Sequence, residues 1–127
     1  MNVPMKMPHN HGDLDSVLCQ MPDKELCGDM AALFKQLCDG TRLQIFWLLC
    51  HSEECVLNIS AAVGMSAPAV SHHLRCLKDA GLIIGRRHGK EVHYTMANTV
   101  EARLLHQCVD SSLKTNCPKE DSCHDHT

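Results

Sequence analysis

The chain has 127 residues, a formal net charge of −3 and 44% hydrophobic residues, yet only one Trp, one Tyr and two Phe. That length and aliphatic-rich composition fit one compact domain and leave too little chain for a second. No apolar run approaches the about 20 residues a bilayer crossing needs, and the N-terminus lacks the uninterrupted apolar core of a secretory signal, so a cytoplasmic protein is expected. In that compartment its nine cysteines read as core hydrophobes, metal ligands or redox sensors, not as a disulfide framework.

In chain order, the first dozen residues mix Pro, Gly and polar groups without periodicity and read as an arm, with a short helix over Asp13 to Cys19. Asp23 is placed to cap a helix whose apolar face is Leu26, Met30, Leu33, Phe34 and Leu37. Asp39-Gly40-Thr41 interrupts that helix and can cap the next, and Leu43 to Cys50 is apolar almost all round, as in a buried central helix. Cys38 and Cys50 fall in these apolar stretches and are expected in the core. His51 to Glu54 reads as a polar connection, and Val56 to Val63 as a short helix ended by Gly64.

Ser66 caps the next helix, with Pro68 in its first turn, where a missing N–H costs little. Its phase turns Val70, Leu74 and Leu77 inward and Ser71, His72, Arg75 and Lys78 outward. Leu82 to Ile84 and Val92 to Met96 are β-rich runs joined by a charged turn at His88-Gly89, the pattern of a hairpin. From Asn98 to about Lys114, Val100, Leu104, Cys108 and Leu113 form a rough helical stripe, for which a dimer interface is the natural destination. The organisation is thus an arm and first helix over 1–22, a domain over 23–115 and a Cys/His-containing polar tail over 116–127.

Charge is unevenly spread. Residues 66–95 carry five Lys/Arg against two acids, a local +3 before counting four histidines, whereas residues 1–65 sum to −4 and residues 96–127 to −2. A basic helix followed by a basic hairpin tip, GRRHGK, is how a winged helix-turn-helix sets one element in the DNA major groove and another beside it, so DNA binding is expected. An enzyme is a weak alternative, since there is no C-x-x-C, no H-E-x-x-H and no Gly-rich phosphate loop. A metal buffer would have no use for Arg75, Arg86 and Arg87 in this arrangement.

The segments LFKQLCDGTRLQIFWLL, ECVLNI, SAPAVSHHLRCLKDAGLI and RRHGKEVHYTM, in that order and spacing, resemble the ArsR/SmtB family of bacterial winged-helix repressors over roughly residues 24–110, with Arg42 at the place of the family's helix-pair arginine. The resemblance implies a mainly α fold with a small β-hairpin wing, assembled as a homodimer. It implies a repressor that binds double-stranded, imperfectly palindromic operator DNA and releases it when an inducer binds. Two-fold symmetry would set the recognition helices roughly 34–36 Å apart. Ser66, Ala67, Ser71, His72 and Arg75 would face base edges, and Arg86, Arg87 and Lys90 would contact phosphates or the minor groove.

Members of the family sense different ligands at different places, so the sensor must be argued from residues. At the positions of one common zinc site on the C-terminal helix, this chain has Asn98, Val100, Ser111 and Lys114, none a suitable ligand. At the other well-known site the motif reads Cys55-Val56-Leu57-Asn58, with one thiol kept and the carboxylate replaced by an amide. A thiolate there suits a thiophilic inducer such as zinc, cadmium, lead or arsenite, with partners from Cys19, Cys27, His9 or His11 of an arm, that of the other protomer being favoured. A competing donor set is His106 and Cys108 with Cys117, Cys123, His124 and His126 of the tail. The remaining alternative of the same fold is a thiol-based sensor of peroxide or reactive sulfur, which needs two cysteines with Cα atoms roughly 4.4–6.8 Å apart.

Overall fold

The computed structural model describes residues 7–113 and divides at Ala31/Ala32 into two compact units. The first unit holds α1 (Leu14–Leu18) and the start of α2 (Lys24–Lys35). Asp23 caps α2 as its position suggests, its carboxylate accepting from the Leu26 amide at 2.8 Å.

The second unit is organised around α3 (Gly40–His51), whose Asp39 cap accepts from the Arg42 amide at 2.9 Å. Ile45, Phe46 and Leu49 of α3 are fully buried, so the nearly all-apolar segment is the central helix of the core. After it come β1 (Glu54–Cys55), α4 (Val56–Val63), α5 (Ala67–Asp79), β2 (Ile83–His88), β3 (Glu91–Met96) and α6 (Val100–Leu113). Around α3 pack Ile59 of α4, Val70, Leu74 and Leu77 of α5, Leu82 and Ile83, and Ala102, Leu105 and Val109 of α6.

Between α4 and α5 the chain turns sharply. Gly64 takes the left-handed conformation (φ 69°), where a side chain would be strained, and its amide closes onto the Ser60 carbonyl at 2.9 Å. The Ser60 hydroxyl donates to the Met65 carbonyl, and Ser66 begins α5 by accepting from the Ala69 amide at 3.3 Å. The strands form one antiparallel sheet in the order β1-β3-β2, with Gly85 opposite Tyr94 and Arg87 opposite Val92.

Three expectations are corrected. The stretch His51 to Glu54 is not a plain connection: His51 closes α3, and Glu54–Cys55 pairs with Tyr94 and His93 as the third strand. A two-residue strand of polar sequence has no periodicity to betray it, and only the distant β3 makes it a strand. The hairpin is also longer than its apolar runs, because the ladder continues through Arg86, Arg87 and His88 to the Gly89 turn. Finally, Cys38 lies in the exposed turn before α3, while Cys50 packs partly buried against the core. Cys38 stands in the bend between α2 and α3, so no helix face carries it into the core although its neighbours in sequence are apolar.

On α6 two apolar stripes are distinct. Ala102, Leu105 and Val109 face the core, and the stripe Val100, Leu104, Cys108 and Leu113 is exposed on the single chain.

Candidate DNA interface and inducer residues

The helix pair α4–α5 with its tight turn, followed by the β2–β3 hairpin, is a winged helix-turn-helix, with α5 in the place of the recognition helix. On α5 the outward side carries His72, Arg75 and Lys78, all exposed, and Ser71, half-buried. Ser66 and Ala67 stand at its N-terminus, where helices of this class meet base edges; the Ser66 oxygen is already engaged by the Ala69 amide, leaving its hydroxyl proton to donate. Ser71, Arg75 and Lys78 line a hollow of about 210 Å³ with Leu74 and Tyr94.

Arg86, Arg87 and Lys90 are exposed on the wing. Successive strand residues point to opposite faces, so the two arginines differ. Arg87 shares its face with Gly85 and with the partners Val92 and Tyr94, and Tyr94 borders the hollow of α5. Arg86 shares the other face with His88, whose Nε2 lies 3.0 Å from Glu53, and with His93.

Of the two adjacent histidines, which the sequence reads as His72 outward and the other partly buried, His73 is the buried one, and sequence reasoning missed only its partner, Arg42. His73 is 8% exposed beside the solvent-facing His72, and its Nδ1 accepts from the Arg42 Nε at 3.2 Å. Arg42 also donates to Gln36 at 2.9 Å, and Asp39 stands 3.9 Å from the His73 Nε2. Burial holds the His73 imidazole below its ordinary pKa of 6.5, with Asp39 opposing and Arg42 and His72 adding to that shift. Asp39 is held below its ordinary 3.8, first by the Arg42 amide that it caps and further by His73. The start of α3 thus grips the middle of α5 through a neutral imidazole. The only sequence signal was two adjacent histidines, of which helical phase turns one inward.

Cys55 is half-buried at the N-cap of α4, and its thiol makes no capping bond. Leu57 and Asn58 are exposed, and the Asn58 amide donates to Glu54 at 2.8 Å, which brings a carboxylate beside the motif that lacks one. Cys19, Cys27, His9 and His11 belong to the first unit; both cysteines are exposed, and the two imidazoles stack 5.6 Å apart. His106 and Cys108 diverge on α6, His106 half-buried and Cys108 exposed, as residues two apart on a helix must. His106 instead meets His51 and Asp110. Cys117, Cys123, His124 and His126 lie outside the described residues. Of the residues at the positions of the C-terminal-helix zinc site, Asn98 accepts from Arg103 at 2.6 Å, and Lys114 is outside the described residues.

Comparison with known proteins agrees with this architecture. Residues 39–84 match the family "Bacterial regulatory protein, arsR family". The chain is 42% identical over 71 residues to the arsenical resistance operon repressor of Escherichia coli, covering 55% of this chain and 61% of that one. It is 33% identical over 119 residues to the "Probable mercury resistance operon repressor" of Streptomyces lividans, covering 89% and 91%. Among solved structures, the homodimeric winged helix-turn-helix DNA-binding domain Mb0332 of Mycobacterium bovis superposes with a TM-score of 0.60 at 31% identity, covering 84% of this chain and 90% of that one. The fold therefore defines a winged helix-turn-helix protein of the class whose relatives are transcriptional regulators. The chain belongs to the ArsR/SmtB family. It spans just under two thirds, 61–65%, of the length of several curated relatives that it matches. Among the described residues no helix is long and apolar enough to cross a membrane.

Proposed function

We propose that the protein is a dimeric transcriptional repressor that holds operator DNA with α5 and the wing and releases it on binding a thiophilic metal or metalloid ion. The observation that carries the reading is the one-sided composition of α5. Val70, His73, Leu74 and Leu77 are buried while His72, Arg75 and Lys78 face outward beside a wing bearing Arg86, Arg87 and Lys90. Such a surface has positive charge for phosphates and donors for base edges. Ser66, Ala67, Ser71, His72 and Arg75 are assigned to bases, and Arg86, Arg87 and Lys90 to phosphates or the minor groove.

The inducer binds at Cys55 together with soft donors Cys19, Cys27, His9 or His11 from the arm of the other protomer. Relatives named for arsenic, cadmium and mercury resistance support an ion of this class, and thiolates select such ions over magnesium or manganese. Bound ion favours a dimer spacing that no longer matches successive major grooves. A differential affinity of a few kcal/mol between the two states is enough for derepression.

An anaerobic anisotropy titration tests this. Reduced protein on labelled DNA from upstream of its own gene is challenged in turn with Cd(II), Zn(II), Pb(II), Hg(II), arsenite and a polysulfide. Release near one equivalent by one of them, lost in Cys55→Ser, is the expected result. Release by polysulfide alone, reversed by dithiothreitol, would refute it in favour of a thiol sensor.

A further inference from the structure

A second cluster of donors, free of sulfur, joins the end of α3 to α6. His106 and Asp110 lie four residues apart on α6 and so share one face, and His51 is the last residue of α3. The Nε2 atoms of His51 and His106 approach to 3.3 Å; the His106 Nε2 is 3.0 Å from Asp110 Oδ2, and the His51 Nε2 is 3.7 Å from Asp110 Oδ1. We propose that these three side chains form a binding site for a borderline divalent cation of the zinc class, bound by both Nε2 atoms and the Asp110 carboxylate.

The spacing is that of a coordination tetrahedron. Zinc–nitrogen bonds of about 2.0–2.1 Å and zinc–oxygen bonds of about 2.0–2.2 Å at tetrahedral angles separate neighbouring ligand atoms by about 3.3–3.5 Å. The 3.0 and 3.3 Å separations lie close to that edge, and the His51 Nε2 stands 3.7 Å from the other carboxylate oxygen, Oδ1, so a turn of the carboxylate brings one oxygen toward both imidazoles. The ligands are also held from outside. The Trp47 Nε1 donates to Asp110 Oδ1 at 3.1 Å, and the Trp47 ring packs against the His51 ring with centroids 4.5 Å apart. Orientation of ligands by such outer contacts is typical of metal centres.

Burial fits as well. The His51 side chain is 4% exposed, whereas those of His106 and Asp110 are each 20% exposed, which leaves a solvent-facing side for a fourth ligand such as water. Two imidazoles and one carboxylate suit Zn(II), Co(II) or Ni(II) and offer nothing to arsenite or Hg(II), which want thiolates. A second group, Glu53, His88 and His93 on the wing, also lies within ligand distance, but it is more exposed and its longest ion pair is 4.0 Å. The ion at α3–α6 would fix the helix that carries the exposed Leu104 stripe to the core. This assignment stands apart from the inducer site, because its donors include no cysteine.

The experiment is a Co(II) titration of the full reduced chain after chelator stripping, read by visible absorption. Expected is one equivalent of tetrahedral Co(II) with no thiolate-to-cobalt charge-transfer band, retained in Cys55→Ser and weakened at least tenfold in both His106→Gln and Asp110→Asn. If both variants, folded by circular dichroism, bind that equivalent as the wild type does, or if every bound Co(II) carries the thiolate band, the site does not exist. Long-range nitrogen NMR of the unmodified chain with Zn(II) gives a reading without substitution. Nε2 resonances of His51 and His106 that move to the metal-bound range support the site, and unmoved ones overturn it.

Discussion

The Nε of Arg42, in the first turn of α3, donates to Nδ1 of His73, in the middle of α5, at 3.2 Å. This bond fixes the tautomer of His73, since the ring can accept at Nδ1 only when neutral there, and it sets the rotation of α5 against the central helix. The outward aim of His72, Arg75 and Lys78 therefore depends on a residue 31 positions away in sequence.

Acid should loosen this grip. His73 has its folded pKa below the unfolded value of about 6.5, so the unfolded chain binds the proton more readily and the imidazole's contribution is complete above that value. It is lost as pH falls below about 6.5 toward the folded pKa. Asp39, held below 3.8, contributes stability that is present above 3.8 and fails only lower down, as pH falls through its folded value. Thermal midpoints between about pH 7.5 and pH 5.5 should fall in the wild type and fall less in His73→Gln; equal slopes would show that other groups dominate.

Removing the cap of α3 should cost more than a surface change. Asp39→Ala leaves the Arg42 amide without its 2.9 Å acceptor, and a lower urea unfolding midpoint is expected. Asp39→Asn, which keeps an acceptor, should recover most of the drop.

The wing arginines should not be equivalent. Arg87→Ala, on the face shared with Tyr94, is expected to weaken operator binding more than Arg86→Ala, on the face of His88 and His93. The double variant should lower the slope of log K against log salt by about 2, as expected for two lost phosphate contacts. Fluorescence anisotropy at several salt concentrations measures both, and an unchanged slope would take the wing off the DNA.

Gly85 is constrained by its neighbour across the ladder. A Cβ there would stand 3.0 Å from the Tyr94 ring and 3.1 Å from Val92. Gly85→Ala should therefore destabilise the hairpin by about 1–3 kcal/mol, read by chemical unfolding, as the ring is pushed aside. Because Tyr94 borders the hollow beside Arg75, operator affinity should drop with it.

On α6 adjacent leucines should behave oppositely. Leu105 is 2% exposed, and Leu105→Ala should cost about 2–5 kcal/mol in urea unfolding. Leu104 is 49% exposed, and Leu104→Lys should leave the fold intact while shifting the protein to monomer in sedimentation. A Leu104→Lys protein that remained dimeric would move the interface elsewhere.

The sequence by itself determined the local elements and their order. Asp23, Asp39 and Ser66 are caps because a side-chain oxygen three residues ahead of an amide is a purely local arrangement. Gly64 ends α4 for an equally local reason. Helical phase alone sufficed to turn Val70, Leu74 and Leu77 inward and Arg75 outward, and so to expose the candidate DNA surface. Only the tertiary structure decided what depends on residues far apart in the chain. It made Glu54–Cys55 a strand by pairing it with β3, and chose Ala102, Leu105 and Val109 over the neighbouring stripe of α6 as the core face. It joined Arg42 to His73, and His51 to His106 and Asp110, across 31 to 59 positions. Caps and periodicity act within one turn of helix, whereas these contacts exist only after the helices have packed, and no local pattern encodes a packed distance.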